Sequence, residues 1–179
     1  MVLADVFISD ITTRPVANTF VDQGLDKEGG LSVCSWSNPG SGTRCTNTEI
    51  TDTIVSGVPR VGIVAPGMNC DEVGSRRFYR NTVHSVAGVG AIVFPDPAET
   101  SQKTCYEVET FRAYKNQEQG IATYFKTKEF RLHDSVFVDN QQGIQMQIGQ
   151  EHDDTLIKFY DSWIYGENED VPLDCAANN

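Results

Sequence analysis

The chain has 179 residues, about the length of one domain, and its hydrophobic content of 39% is sufficient for a core. Lys and Arg number 14 against 25 Asp and Glu, which gives a net charge of -11. This balance argues against nucleic acid and anionic membrane surfaces as partners. The longest apolar run, residues 86–94, is too short to cross a bilayer, so we expect no membrane insertion by this segment.

Residues 1–50 form the first predicted region, which we interpret as N-terminal strands and a disulfide loop. The run Val6-Phe7-Ile8 is typical of a strand. Cys34 and Cys45 flank a loop rich in Ser, Gly and Pro, of the kind that a disulfide closes. This region serves either as a cap or as preceding coils of the region that follows, residues 51–179.

From residue 51 onwards, one phrase recurs: a short apolar run, a polar corner residue, a few polar residues, and a Gly that begins an alternating run. Asn116 and Asn140 are 24 residues apart, and an insertion at residues 95–104 lengthens the preceding unit. The corner residues are Ser56, Asn81, Asn116 and Asn140, and the apolar residues that follow each Gly are Ile63, Ala91, Ile121 and Ile144. Self-similarity at this period is typical of a solenoid.

The alternation within each unit indicates strands rather than helices, because Ile144, Met146 and Ile148 alternate with glutamines. We therefore predict an all-β fold, a right-handed parallel β-helix with coils of about 24 residues. The corner asparagines are expected to stack in one column as an amide ladder, and the glycines to supply positive φ. The alternative is an antiparallel β-sandwich in which Asn and Gly mark hairpin turns.

Five cysteines occur without the paired spacing of zinc or redox motifs. Cys70 and Cys105 each lie just outside a strand in consecutive units, so we predict that they form a disulfide, as do Cys34 and Cys45. Cys175 is then free or paired with chain outside this sequence. These positions favour an oxidising compartment; the alternative is five free thiols in a cytosolic protein.

An ordered set of motifs between about residues 50 and 150 carries a family resemblance. It comprises Ile54-Val55-Ser56-Gly57, Arg60-Val61-Gly62-Ile63, Gly67, Cys70, Tyr79-Arg80-Asn81-Thr82-Val83-His84-Ser85, Gly88 and Gly90, followed by Cys105 and Asn116. This set resembles the parallel β-helix region of fibrocystin and fibrocystin-like proteins, the polycystic kidney and hepatic disease protein family. Residues 1–50 and the long insertion at 95–104 depart from the family pattern.

The resemblance implies a large cell-surface or secreted protein, often associated with cilia or stereocilia. Related β-helices occur in hyaluronan-degrading proteins, so the resemblance leaves enzymatic activity open. Since no cap is evident at either end, we expect the chain to be a fragment of a longer solenoid.

Several side chains could support catalysis or metal binding. His84 precedes Ser85, a pairing that could place a base beside a nucleophile, but the sequence supplies no third member or oxyanion hole. His133 and Asp134 could form a carboxylate–imidazole group with Asp139, with Glu107 and Glu109 on the adjacent coil. Further candidates are the run Glu151-His152-Asp153-Asp154 for a metal, and Arg131, Lys126 and Lys128 as the base of a lyase. None of these sets has the spacing its chemistry requires, so we expect no catalytic residue, no metal and no cofactor.

The sequence therefore predicts a non-enzymatic extracellular module, structural or adhesive, of a cell-surface protein. Its expected partners are other protein domains of the same parent chain or surface assembly. The alternative is a glycan-binding or glycan-cleaving β-helix, for which a groove lined by convergent Asp, Glu, Arg and His would be required.

Overall fold

The protein forms a parallel β-helix, which confirms the predicted fold class. The computed structural model describes residues 2–4, 6–9, 29–33, 49–66, 68–70, 78–94, 105–123, 129–146 and 156–166. Across these ranges all regular structure is β-strand, so none contains a helix long and apolar enough to cross a membrane.

Three sheets run along the solenoid, and each coil contributes one strand to each sheet. The first sheet contains, in spatial order, β1 (Val2–Ala4), β4 (Glu49–Thr51), β8 (Phe78–Tyr79), β11 (Cys105–Glu109), β14 (Glu129–His133) and β17 (Leu156–Tyr160). These strands are all parallel, and β7 (Met68–Asn69) joins the sheet antiparallel to β11.

The second sheet is built from three-residue strands that follow directly after those of the first. In spatial order they are β2 (Phe7–Ser9), β5 (Ile54–Ser56), β9 (Thr82–His84), β12 (Arg112–Tyr114), β15 (Val136–Val138) and β18 (Trp163–Tyr165). The third sheet closes the coils with β3 (Gly29–Ser32), β6 (Val61–Pro66), β10 (Val89–Phe94), β13 (Gln119–Thr123) and β16 (Gln142–Met146). Since β1, β2 and β3 pair in parallel with β4, β5 and β6, the N-terminal strands belong to the same stack.

The core is a set of side-chain columns parallel to the solenoid axis. Ala91 pairs with both Ile63 and Ile121, and Ile121 pairs with Ile144, so the predicted apolar layer is confirmed. A second column consists of three buried aromatic rings: Phe78 in β8, Phe111 at the turn between β11 and β12, and Phe137 in β15. Phe111 lies 5.5 Å from Phe78 and 6.0 Å from Phe137, measured between ring centroids. Both columns bury apolar surface continuously from coil to coil.

The coils are less uniform than the predicted 24-residue period. Residues stacked at the turns are 28 apart for Thr53 and Asn81, 30 apart for Val86 and Asn116, and 24 apart for Asn116 and Asn140. The length differences arise between strands, which preserves the side-chain register within the sheets.

The prediction that all four corner residues share one column is wrong. Asn116 and Asn140 do stack: the Asn116 amide nitrogen Nδ2 donates to Asn140 Oδ1 at 2.8 Å, at the turn between the second and third sheets. Asn81 lies at the other turn, between the first and second sheets, where its Oδ1 accepts from the Thr53 backbone N–H at 3.1 Å. Ser56 is the last residue of β5 and pairs in register with His84.

Asparagine occurs at both turns because both need a side-chain oxygen that accepts a backbone hydrogen bond. At each turn the backbone N–H of one coil points at the next coil, and a side-chain oxygen there accepts its hydrogen bond. Asn81 and Ser135 do this at the first turn, and Asn116 and Asn140 at the second. Because these groups are buried or half-buried, leaving such donors unpaired would be costly.

The asparagines at the turns do not themselves have positive φ. The residue just before each stacked turn residue has a φ between 48° and 63°, as Arg80 has before Asn81 and Lys115 before Asn116. Of the described glycines, Gly57 alone has positive φ. Gly62, Gly90 and Gly120 instead allow close approach, because a Cβ on Gly90 would lie 2.4 Å from the Gly120 carbonyl oxygen. The predicted role for these glycines is thus corrected from turn geometry to coil spacing.

The Cys70–Cys105 disulfide is present, with the two Cα atoms 5.4 Å apart. It joins the residue after β7 to the first residue of β11, beside a backbone hydrogen bond from Cys70 N–H to the Cys105 carbonyl. The predicted Cys34–Cys45 pair and Cys175 lie outside the described residues.

Replacing Asn116 by alanine is expected to lower the free energy of unfolding by about 1 to 3 kcal/mol. The Asn116 side chain is 2% exposed and accepts from the Val86 backbone N–H at 3.1 Å, so its loss leaves a buried donor without a partner. Chemical denaturation measures the change. The neighbouring exposed Gln117→Ala is the control and should change stability by less than about 0.5 kcal/mol. Equal effects of the two variants would contradict the ladder.

Candidate functional site

The outer face of the first sheet carries a cluster of charged side chains, which we call the charged ladder: Glu107, Glu129, Arg131, His133, Asp134 and Lys158. In β11, β14 and β17 alternate residues face outward, because Val108, Phe130 and Leu132 are buried in the core. Register pairing places Glu107 beside Arg131, and Arg131 beside Lys158. Three consecutive coils therefore contribute ionisable groups to one surface.

Glu129 is the acidic centre of one half of the ladder. Its Oε1 lies 2.7 Å from Arg131 Nε and 2.7 Å from Lys158 Nζ. Hydrogen bonds from Arg131 and then from Lys158 hold the pKa of Glu129 at about 2, well below its usual 4.5. The same carboxylate raises the pKa of Arg131.

His133 is the centre of the other half. Its Nε2 lies 2.9 Å from Glu107 Oε1, its Nδ1 lies 2.8 Å from Asp134 Oδ2, and its ring stacks on Tyr160 at 4.8 Å between centroids. The predicted carboxylate–imidazole group is thus brought together with Glu107 and Asp134. Asp139 lies beyond β15, at the turn between the second and third sheets.

The contacts of the charged ladder connect coils. His133 contacts residues of β11 and β17, and Glu129 binds Lys158 of the next coil. Ion pairs within a partly exposed ladder stabilise the stack modestly. No group of three or more His, Cys, Asp or Glu side chains suited to a metal ion occurs within the described ranges.

Acidification tests the Glu129 pairs. Glu129 stays ionised to lower pH in the folded protein than in the unfolded chain, because its pKa is lowered on folding. The stabilisation of the folded state by the Glu129 ion pairs is therefore complete above about pH 4.5 and is lost as pH falls towards about 2. We expect about 1 kcal/mol or less from this partly exposed group. Thermal unfolding at pH 6 and pH 3 should differ less in Glu129→Gln than in the unchanged protein. An identical difference in both proteins would contradict the assignment.

His84 and Ser85, a pair that from the sequence could be a base beside a nucleophile but was not predicted to be catalytic, are in contact, since His84 Nδ1 lies 3.2 Å from Ser85 Oγ. The His84 ring stacks on Tyr114 at 4.5 Å, with 5° between the planes. Burial, and then the nearby Lys115 cation, lower the pKa of His84. Within the described ranges no carboxylate is recorded against His84, so the geometry there is that of a stacked aromatic pair.

Two other candidates belong to the same sheet. Glu109 pairs in register with His133, and Arg131, a member of the charged ladder, is engaged with Glu129. The acidic run Glu151-His152-Asp153-Asp154 and the lysines Lys126 and Lys128 lie outside the described residues.

The outer face of the second sheet was missed by the sequence reasoning. In β5, β9, β12 and β15 the middle residue is buried in the core, as Val83, Ala113 and Phe137 are, whereas Ile164 in the middle of β18, on the last described coil, is 52% exposed. The first and third positions of the strands, which we call the aromatic face, alternate with these middle residues, and Ser56 among them is buried. They are Phe7, Ser9, Ile54, Ser56, Thr82, His84, Arg112, Tyr114, Val136, Val138, Trp163 and Tyr165. The available signal was the pair of aromatics flanking Ile164, but one alternation in three residues is a weak pattern.

Comparison of the chain with protein-family models, with curated proteins and with solved structures found no match in any of the three.

Proposed function

We propose that this chain is an extracellular, non-enzymatic module of the cell surface, with a structural or adhesive role. The observation that carries the proposal is the continuous stack of six strands in the second sheet, from β2 to β18, in unbroken parallel register. Hydrogen-bonded ladders at both turns and ion pairs across the first sheet connect the coils. Such a stack is a stiff rod whose sides are available to partners.

The Cys70–Cys105 disulfide supports an oxidising compartment. The partners we propose are other domains of a surface assembly. A ciliary location, which the resemblance to fibrocystin implies, stays a prediction.

The charged ladder supports the structural assignment over a catalytic one. Both nitrogens of His133 already face carboxylates, and Glu129 is engaged by two cations. A general base or acid must instead have an atom directed at substrate. These groups are placed to hold coils together.

Incubation with polysaccharides tests the absence of catalysis. Purified protein is mixed with hyaluronan, pectate and neutral glycans, with and without calcium, and chain length is followed by size-exclusion chromatography. We expect no shortening. Shortening that disappears in His133→Gln or His84→Gln would overturn the proposal and assign the activity to that imidazole.

A further inference from the structure

The two ends of the described stack carry its exposed large apolar side chains. Eight such residues are exposed among the described ranges, with Phe7 on the first described coil and Ile54 on the second. The other six all lie on the last described coil and are Leu156, Phe159, Tyr160, Trp163, Ile164 and Tyr165. No described strand pairs with the outer edges of β17 and β18, or with those of β1, β2 and β3. Each end therefore combines open strand edges with exposed apolar side chains, a combination that favours pairing with another chain.

The apolar columns of the core reach both ends of the stack. In the second sheet, register pairing connects Ile8 at one end, through four core residues, to Ile164 at the other. In the third sheet a corresponding column runs from Leu31 to Ile144. Ile164 is half-exposed, although its register partner Phe137 is fully buried. Inside the stack these positions are covered by the next coil, so a further coil placed on either end would continue the core.

The two ends of one chain are complementary to each other. Phe7 and Trp163 occupy opposite ends of a single register column of the second sheet and are 67% and 62% exposed. If the first described coil of a second copy is stacked on the last described coil, its Phe7 lies one strand step, about 4.8 Å, from Trp163. Its Ile8 lies one step from Ile164 in the same way. Each contact between the copies then repeats the parallel, apolar stacking found within the chain.

The turn between the first and second sheets makes this junction weaker than those inside the chain. Ser162 carries the last described side-chain oxygen of that turn, and its Oγ accepts from the Ser135 backbone N–H at 3.0 Å. In a second copy Val6 would lie against Ser162, because Val6 precedes Phe7 as Ser162 precedes Trp163. Val6 has no side-chain oxygen to accept the Ser162 backbone N–H. The junction between copies therefore has one hydrogen bond fewer than the junction between the coils of Ser135 and Ser162.

The area of the exposed end also indicates a reversible contact. Its six side chains are 40 to 62% exposed and present on the order of 500 Å², because large side chains have about 150 to 250 Å² of surface each. A stable protein interface buries roughly 800 Å² per partner. The edges of β17 and β18 add backbone donors and acceptors, whereas the net charge of -11 on each copy opposes association. The balance favours association that depends on protein concentration.

From these observations we infer that the protein associates end to end, with the first described coil of one copy stacked on the last described coil of another. The contact is heterologous, so further copies can add to the two outer ends in the same way. The inference deepens the structural role proposed above, on which it rests, by naming a second copy of this chain as a partner.

Sedimentation velocity of the whole chain tests the association. The measurement is made at about 0.15 M salt, where charge repulsion between copies is screened over about 8 Å. We expect the mean sedimentation coefficient to rise between about 10 μM and 1 mM protein. Phe7→Asp and Trp163→Asp should each weaken association by about tenfold or more, because each places an unpaired charge in the contact. Thr82→Asp is the matched control, since it adds the same charge to the same column between the two ends, and it should leave association unchanged.

A mixture of the two end variants tests the direction of stacking. Phe7→Asp keeps the last described coil unchanged, and Trp163→Asp keeps the first described coil unchanged. The mixture should therefore form a one-to-one dimer that does not grow further, which neither variant forms alone. If the last described coils of two copies met each other instead, Phe7→Asp would have no effect. If circular dichroism shows that Trp163→Asp does not fold, Tyr165→Asp, which changes another exposed residue of the same coil, replaces it.

The inference is overturned if the protein stays monomeric over the whole range, if Thr82→Asp weakens association as much as Trp163→Asp, or if the mixture contains no dimer. Association that appears only after deletion of residues 167–179 also overturns it and assigns the last described coil to that segment. A monomeric protein that remains a stiff rod, measured as described at the end of the Discussion, removes the self-association and leaves the proposed structural role standing.

Discussion

Replacing Gly90 by alanine is expected to lower the free energy of unfolding by about 3 kcal/mol. The added Cβ would lie 2.4 Å from the Gly120 carbonyl oxygen and 2.8 Å from Asn116 Nδ2. The nearest atom belongs to the backbone of the next coil, so relief requires the coils to separate. The gain of about 0.4 to 1 kcal/mol from a less flexible unfolded chain is too small to offset this cost.

Gly166→Ala is the matched control for Gly90→Ala. A Cβ on Gly166 meets nothing within 4 Å, so this substitution should be neutral or slightly stabilising. Urea denaturation of the two variants measures the difference. Similar stability of both would contradict the close stacking of the glycines.

Phe111→Ala is expected to cost about 3 to 5 kcal/mol, the largest effect of a single side-chain truncation considered for this chain. The ring is fully buried and packs between Phe78 of the preceding coil and Phe137 of the following one. Its removal leaves a cavity shared by three coils, which the rigid backbone ladders prevent from collapsing. The midpoint of urea denaturation reports the loss.

The adjacent Arg112→Ala controls for a change of side chain in the same strand. Arg112 is exposed, and its replacement should alter stability by less than about 0.5 kcal/mol. If Phe111→Ala costs no more than Arg112→Ala, the aromatic column does not support the stack.

The repeat in the sequence was sufficient to predict the parallel β-helix and the layer of Ile63, Ala91, Ile121 and Ile144. Both follow from the alternation of apolar and polar residues that begins at a glycine in each unit. This local pattern does not depend on the length of the coil. The Cys70–Cys105 pair was predictable for a related reason, since both cysteines border strands of consecutive units. His133 and Asp134 were linked with Glu107 because outward strand positions on adjacent coils must meet.

The register of the corners was not predictable from the asparagines alone. Each coil has two similar turns, and an Asn at either one performs the same hydrogen bonding. In the sequence, Asn81 and Asn116 each follow a short apolar run, yet they occupy different turns, and Val86 takes the position equivalent to Asn116. A single polar residue type therefore does not identify the turn it occupies.

The aromatic face was missed because its members are scattered along the chain. Tyr114 and Tyr165 lie far apart in sequence and share one sheet face because whole coils stack between them. Three-residue strands contribute two outward residues each, too few for a periodic signal. The glycine roles were misread for a similar reason, since close approach depends on the neighbouring coil and not on local backbone preference.

The central claim, a stiff rod of stacked coils, is tested most directly by the distance between its ends along one sheet. Spin labels at cysteines introduced in place of Phe7 and Trp163, both exposed, lie five strand steps apart in the second sheet. Free cysteines, if any, are first replaced by serine. Pulsed electron paramagnetic resonance should give one narrow distribution, corresponding to a backbone separation of about 24 Å. A broad distribution would contradict the account. So would a mean distance that differs from this backbone separation by more than the length of the two spin labels. Either result would contradict both the strand register and the stiff rod.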